Sequence, residues 1–185
     1  MKLIAINGSP RQKGNTGRVI TEAIKGAQEK EENLIVKEYF LQDLELNPCI
    51  GCERCMKGLN CKFDGDKISE ILNELMEADA VIIGSSIYFS QMTSQLKTLI
   101  DRFYSVFMNE EKEFTAKLTL FLTHGFPDDT YTDYLEYTLE RTFKLAGFDT
   151  IEGLSVGGLH DVGELEETRP EILDKFKEIG AKLVS

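Results

Sequence analysis

The feature that most constrains the fold of this chain is a regular alternation of short apolar segments with longer amphipathic ones. Candidate strands cover residues 2–7, 34–40, 80–84, 118–123 and 151–156. Apolar residues at spacings of three and four, which indicate amphipathic helices, follow each strand, over 19–27, 68–76, 96–107, 130–146 and 169–184. Five such βα units predict an α/β fold, a doubly wound five-stranded parallel sheet with helices on both faces. Ligands of such sheets bind where the strands end, at their carboxyl edge.

Length and charge limit the possible functions further. The chain has 185 residues and no linker-like segment or internal repeat, so we expect one domain over residues 1–185, with a cysteine-rich loop at about 47–63. The net charge of −11 argues against a nucleic-acid partner, because phosphate binding needs a basic face. No signal peptide and no apolar run of membrane-spanning length is present, so we expect a cytoplasmic protein with no membrane partner.

The segment between the first strand and the first helix has the composition of a phosphate-binding loop. It contains three glycines with short polar side chains and one arginine: Gly8, Ser9, Arg11, Gly14, Asn15, Thr16 and Gly17. Backbone N–H groups at a helix N-terminus bind anions, and Arg11 adds one charge-assisted contact. The order of residues fits neither a nucleoside-triphosphate loop nor a dinucleotide fingerprint, so a mononucleotide is the better match. The alternative is an ordinary turn and helix cap.

All four cysteines of the chain fall within thirteen residues, as Cys49, Cys52, Cys55 and Cys61. Clustered thiols in a reducing compartment favour metal or redox chemistry over disulfides. Three cysteines at i, i+3 and i+6 resemble the run that binds an iron-sulfur cluster. Zinc bound by four cysteines is the alternative, although zinc sites usually show two separated Cys-x2-Cys pairs.

Taken together, these segments resemble a known family. The residues that carry the resemblance are Gly8-Ser9-Pro10-Arg11, Gly14-Asn15-Thr16, the cysteine block, Ala78-Asp79-Ala80 leading to Tyr88-Phe89, and Gly158 with Asp161-x-Gly163. They are similar to the flavodoxin-like NADPH-dependent FMN reductases and, within them, to the iron-sulfur flavoproteins. The resemblance implies a flavodoxin-like fold, FMN, a [4Fe-4S] cluster on the cysteines, and a homodimer or homotetramer with the flavin near a subunit interface.

The resemblance also assigns positions in this chain. It implies that Ser9, Arg11, Asn15, Thr16 and Gly17 hold the FMN phosphate. It places the isoalloxazine beside Ser86, Ile87, Tyr88, Phe89 and Ser90, with Thr123, His124 and Gly125 on the third side. The chain departs from the family at Ser85-Ser86, where Thr-Pro is common. His124 and His160 both follow strands, but packing or capping is the ordinary role of such histidines, and no catalytic acid, base or nucleophile is assigned.

The resulting prediction is a flavin-dependent oxidoreductase in which FMN and the cluster carry electrons from a reduced donor, ferredoxin or NAD(P)H, to a small-molecule acceptor. One alternative is an NAD(P)H-dependent FMN, quinone or nitro reductase whose cysteine loop is without function or holds zinc. A second alternative is an electron shuttle or redox-sensing flavin-binding module without catalytic turnover.

Overall fold

The computed structural model describes residues 1–185 and contains seven strands in one sheet. The strands are β1 (Lys2–Asn7), β2 (Ile35–Phe40), β3 (Ala80–Tyr88), β4 (Gln91–Met92), β5 (Lys117–Thr123), β6 (Asp149–Thr150) and β7 (Leu154–Val156). Their order is β2-β1-β3-β5-β6, with β7 also paired to β5. All pairs are parallel except β3 with β4, which form a hairpin. The predicted doubly wound, flavodoxin-like α/β fold is therefore confirmed.

Seven α-helices connect and flank the strands. They are α1 (Asn15–Lys30), α2 (Lys67–Met76), α3 (Ser94–Arg102), α4 (Tyr104–Phe107), α5 (Thr132–Thr138), α6 (Glu164–Thr168) and α7 (Pro170–Leu183). Short 3-10 turns lie at Leu41–Asp43, Cys55–Lys57 and Asp128–Tyr131, and a π-helical stretch, Leu139–Lys144, continues α5. No helix is both long enough and apolar enough to span a bilayer.

The sheet separates two apolar cores, because successive side chains of a strand point to opposite faces. In β1, Leu3 and Ala5 pack with α1 and α7, whereas Ile4 and Ile6 pack with α2 and α3. The central strands β1, β3 and β5 are buried on both faces over most of their length, which explains why they read in the sequence as continuous apolar runs. This arrangement leaves the carboxyl edge of the sheet as the place where polar residues gather.

Two strands differ from their predicted form. The fifth strand, predicted over 151–156, is divided into β6 and β7, and Gly153 lies in the break, where a Cβ would come within 2.5 Å of the carbonyl oxygen of Leu120. The backbone approaches β5 too closely there for any other residue, so the regular pairing is interrupted. The third strand extends beyond residue 84 to Tyr88 and turns back as β4, and its side chains become progressively exposed from Ser86 to Tyr88 as it leaves the core at the carboxyl edge.

Candidate functional site

The carboxyl ends of β1, β3 and β5 meet at one cavity of about 240 Å³ that is open to solvent. Ten of the thirteen residues predicted to bind the cofactor line it: Ser9, Arg11, Asn15, Thr16, Ser86, Ile87, Tyr88, Thr123, His124 and Gly125. Its other lining residues are Gly14, Leu159, His160 and Val162. We call it the edge cavity. The topology therefore brings together residues that are far apart in the sequence, as the doubly wound fold predicts.

Three predicted residues lie elsewhere. Gly17 lines a neighbouring depression beside Gln12, and a Cβ on it would come within 2.4 Å of the Gln12 carbonyl oxygen. Its role is therefore to allow the loop to pack against the first turn of α1. Phe89 and Ser90 form the tip of the β3–β4 hairpin, where both have positive φ (47° and 66°) and the Phe89 side chain is fully exposed. They do not line the edge cavity of this chain.

A chain of hydroxyl groups forms the floor of the edge cavity. Thr16 Oγ1 lies 2.6 Å from Thr123 Oγ1 and 3.1 Å from Ser86 Oγ. Ser86 in turn donates to Ser9 Oγ at 2.8 Å, and the backbone N–H of Arg11 donates to the same oxygen at 3.2 Å. The network ties the loop after β1, the start of α1 and the ends of β3 and β5 into one preorganised surface.

The Ser85-Ser86 pair, where the family often has Thr-Pro, is held by hydrogen bonds instead of a fixed φ. Ser85 is fully buried, and its Oγ accepts from the backbone N–H of Thr93 at 3.2 Å. Thr93 Oγ1 also donates to the carbonyl oxygen of Gly8 at 2.6 Å. These bonds connect the β3–β4 hairpin to the loop after β1, so the segment is ordered without a proline.

The start of α1 has the features of an anion site. Gly14 occupies the N-cap with no side-chain hydrogen bond to the first turn, which leaves the N–H groups of that turn available. Arg11 is exposed beside it and takes part in no ion pair of the chain. A phosphate bound here would therefore face the positive end of the helix dipole and one free cation.

Asn15 places a buried acceptor without a partner at the start of α1. Its Nδ2 donates to the carbonyl oxygen of Asp161 at 2.9 Å, and its Oδ1 is buried without a hydrogen-bond partner. A buried acceptor of this kind needs a donor. The ribityl hydroxyls of FMN can donate, whereas a phosphate dianion cannot. The residues of the edge cavity therefore fit FMN.

His124 lies on the third side of the edge cavity and is neutral. Its Nδ1 lies 3.2 Å from the carbonyl oxygen of Phe126 and its Nε2 lies 2.9 Å from Ser155 Oγ. Because a carbonyl can only accept, the ring proton is assigned to Nδ1, and Nε2 accepts from Ser155. Burial lowers the pKa of His124, and the hydrogen bond to Phe126 and the nearby Asp128 charge offset this only in part.

The Asp128–Arg169 ion pair lies outside the edge cavity and stabilises the side that contains His124. Asp128 accepts three hydrogen bonds from the Arg169 guanidinium, at 2.8 to 3.0 Å, and one from the N–H of Gly157 at 2.7 Å. Burial alone would raise the pKa of Asp128, but the bonds from Arg169 and Gly157 outweigh it and lower the pKa. Asp128 thereby joins the loop after β5 to the start of α7 through Arg169 and to the loop after β7 through Gly157. In that last loop, Leu159, His160 and Val162 complete the cavity.

Sequence reasoning missed part of this wall. Leu159 and Val162 follow a three-residue strand, and neither belongs to a periodic pattern or a polar motif. The available signal was the Gly158 and Asp161-x-Gly163 motif, which the resemblance included without assigning it a role. The positive φ of Gly158 and Gly163 (67° and 86°) shows why glycine occupies both turns.

The four cysteines line a second cavity, separate from the edge cavity and sharing no residue with it. Cys49 and Cys52 are exposed, Cys55 and Cys61 are half-buried, and all four are free thiols. The loop turns through positive φ at Gly51, Glu53 and Gly58. No three metal-binding side chains of the chain converge on one point. The donor set, four soft thiols around one cavity, nevertheless fits an iron-sulfur cluster or zinc.

Comparison with known proteins agrees with this geometry. A family model described as NADPH-dependent FMN reductase matches residues 1–132. An iron-sulfur flavoprotein of Methanocaldococcus jannaschii is 44% identical over 102 residues, which cover 55% of this chain and 51% of that protein. An iron-sulfur flavoprotein of Archaeoglobus fulgidus is 28% identical over 185 residues, covering 99% of this chain and 79% of that protein.

The match to some curated relatives is partial, since the aligned segments span about half of their length (51% and 48% for two of them). Among solved structures, the NAD(P)H:quinone oxidoreductase from Methanothermobacter marburgensis superposes with a TM-score of 0.78 at 15% identity, covering 100% of this chain and 96% of that one. At that identity the likeness concerns the fold.

Proposed function

The chain belongs to the NADPH-dependent FMN reductase family, and from this we propose that it is a flavin-dependent oxidoreductase with FMN in the edge cavity and a [4Fe-4S] cluster on Cys49, Cys52, Cys55 and Cys61. Electrons pass from a reduced donor, ferredoxin or NAD(P)H, to a small-molecule acceptor. The observation that carries the proposal is the edge cavity itself, with its hydroxyl floor and the unpartnered Asn15 Oδ1.

The residues of the chain bind and orient the flavin. The first-turn N–H groups of α1 and Arg11 hold the phosphate, and Asn15 accepts from a ribityl hydroxyl. Ser86 to Tyr88 border the ring on one side, and Thr123 to Gly125 on the other. His124, neutral and fixed by Ser155, presents no positive charge to the ring. Bound FMN supplies hydride and electron transfer, and the protein supplies position and electrostatics.

Location and assembly are part of the proposal. Free thiols and a thiolate-bound cluster suit the reducing cytoplasm. Large apolar side chains are exposed near the edge cavity at Tyr88, Phe89 and Phe126. The side chain of Phe89 is fully exposed in the single chain. Such residues suit a homodimer or homotetramer in which a second copy covers the flavin.

A second candidate function follows from the cysteine cavity. Four soft thiols suit a zinc ion as well as a cluster, and the loop can also be without metal. The chain would then be an NAD(P)H-dependent flavin, quinone or nitro reductase without a cluster. The edge cavity would have the same role in both cases.

Analysis of iron, zinc and flavin in protein purified without air tests the proposal. We expect about four irons and one flavin per chain. The matched control replaces all four cysteines by serine, which should abolish iron and leave flavin unchanged, because the two cavities share no residue. Flavin with zinc, or without metal, would favour the second candidate, and absence of flavin would refute both.

A further inference from the structure

Arg102, the last residue of α3, joins both ends of the cysteine loop to the body of the protein. The residue is 1% exposed. Its Nη1 donates to the carbonyl oxygen of Asn47 at 2.9 Å, and its Nη2 lies 3.4 Å from the carbonyl oxygen of Phe63. Asn47 lies two residues before Cys49, and Phe63 lies two residues after Cys61. One side chain therefore brackets the whole segment that carries the thiols.

A carboxylate fixes the orientation of Arg102. Asp66 accepts from Nη1 at 2.9 Å and from Nη2 at 3.3 Å, and it also caps α2 through the N–H of Ser69 at 2.9 Å. Ser69 Oγ accepts from Nη2 as well, at 3.3 Å. This two-pronged contact requires the planar fork of arginine, and a lysine ammonium cannot reproduce it.

The guanidinium also forms part of the cysteine cavity. Arg102 and Phe63 line it together with the four cysteines, and the guanidinium carbon lies 5.4 Å from the centre of the Phe63 ring. Its Nε–H is buried and has no hydrogen-bond acceptor. A buried donor without a partner is rare in folded proteins and points to a missing acceptor. In a cavity lined by thiols, that acceptor would be sulfur.

We propose that Arg102 is the positioning residue of the cysteine site. It holds the two ends of the loop in place through Asn47 and Phe63, and it donates from Nε to the sulfur of the bound group. The Arg102–Asp66 pair also sets the local charge that this group experiences. The inference rests on the proposed function, because it requires a metal group on the cysteines.

The test compares Arg102→Met, Arg102→Lys and Asp66→Asn in the full chain, reconstituted with iron and sulfide without air. We expect Arg102→Met to release iron to a chelator about 10–100-fold faster than the unaltered protein. Arg102→Lys should release iron nearly as fast as Arg102→Met, because lysine keeps the charge but lacks the planar guanidinium that makes two parallel contacts. Arg141→Met, which removes an exposed cation from the π-helical stretch, should change nothing.

The reduction potential separates a positioning role from a general loss of stability. Arg102→Met leaves Asp66 as an unpaired anion and should lower the potential, since reduction adds negative charge. Asp66→Asn leaves Arg102 as an unpaired cation and should raise it. Shifts in the same direction, or none, would refute the assignment. Flavin retention shows whether each variant is folded. If Arg102→Met does not fold, the release rate and potential of Asp66→Asn and Arg102→Lys still test the assignment.

The two proposals fail in different ways. If the unaltered protein takes up no iron, the cluster of the proposed function is refuted and the inference falls with it. If the unaltered protein holds iron and all three variants keep the same release rate and potential, only the role of Arg102 is refuted.

Discussion

At the scale of single residues, the buried and unpartnered Asn15 Oδ1 leads us to expect that the edge cavity favours a ligand with hydroxyl donors. Asn15→Ala removes the buried acceptor and the bond to Asp161, so we expect FMN to bind about tenfold more weakly, the equivalent of one charge-free hydrogen bond. Fluorescence quenching of FMN measures this. Asn33→Ala, in an exposed turn between α1 and β2, is the control. Unchanged FMN affinity in Asn15→Ala would contradict the assignment.

His124 predicts a dependence of stability on pH. Burial lowers its pKa below the ordinary value of 6.5, so the unfolded chain binds the proton more readily than the folded one. The contribution of this residue to stability is therefore present above about pH 6.5 and is lost as the pH falls through the lowered pKa. Melting temperatures measured from pH 7.5 downward should show the decline, and His124→Asn should flatten it below about pH 6.5. An equal slope in both proteins would argue against the assignment.

Single residues also show the limits of sequence reasoning. Ser9, Arg11, Asn15 and Thr16 line the edge cavity and were predicted as a group, because glycines and short polar residues between a strand and a helix have a recognisable chemistry. Arg102 was not, because a cation in an amphipathic helix reads as a surface residue, whereas its partner Asp66 lies 36 positions away. Contacts over such separations are decided by packing, which local patterns do not encode.

At the scale of elements, the turn of the β3–β4 hairpin contains residues that its backbone conformation disfavours. Its two-residue turn, Phe89-Ser90, has positive φ at both positions, a conformation that normally selects asparagine and glycine. The Phe89 side chain is fully exposed, so no apolar burial compensates for this conformation. A strained turn retained with an exposed aromatic indicates a function at the hairpin tip, such as the subunit contact proposed above.

Relief of this strain is measurable. Phe89→Gly should raise the free energy of unfolding by about 1–2 kcal/mol relative to Phe89→Ala, because both remove the ring and only glycine tolerates positive φ. Denaturant unfolding of the two variants gives the difference. Equal stabilities would show that the turn is not strained in solution.

The elements that were predicted most accurately are those whose burial produces a periodic pattern of apolar residues in the sequence. β1, α1 and α7 pack face to face, and their apolar spacing gave their positions closely. The helix near 130–146 was predicted as continuous, but it is a 3-10 turn, α5 and a π-helical stretch, with the π-helical stretch placing Phe143 in the core beside Phe148. The strand at 151–156 was divided by Gly153, because close approach to β5 is a tertiary effect.

At the scale of the whole molecule, FMN binding and folding should be linked. The edge cavity is assembled from three strand ends, so the unfolded chain has no counterpart of it. A ligand that binds only the folded state stabilises it by about 2.7 kcal/mol at a hundredfold excess over its dissociation constant. The melting temperature of flavin-free protein should therefore rise with FMN concentration, and equally in the variant with four serines in place of the cysteines. A rise confined to the cysteine-containing protein would mean that the two cavities are coupled.

The insert between Asn47 and Phe63 has a consequence for how such a protein evolves. Its two ends are fastened to one guanidinium and thus lie close together, and no strand or long helix passes through it. A segment with adjacent ends can be shortened, exchanged or lost without moving the sheet or the edge cavity. The cysteine loop is in this sense a detachable module, which evolution can add or remove while the edge cavity, with which it shares no residue, stays in place.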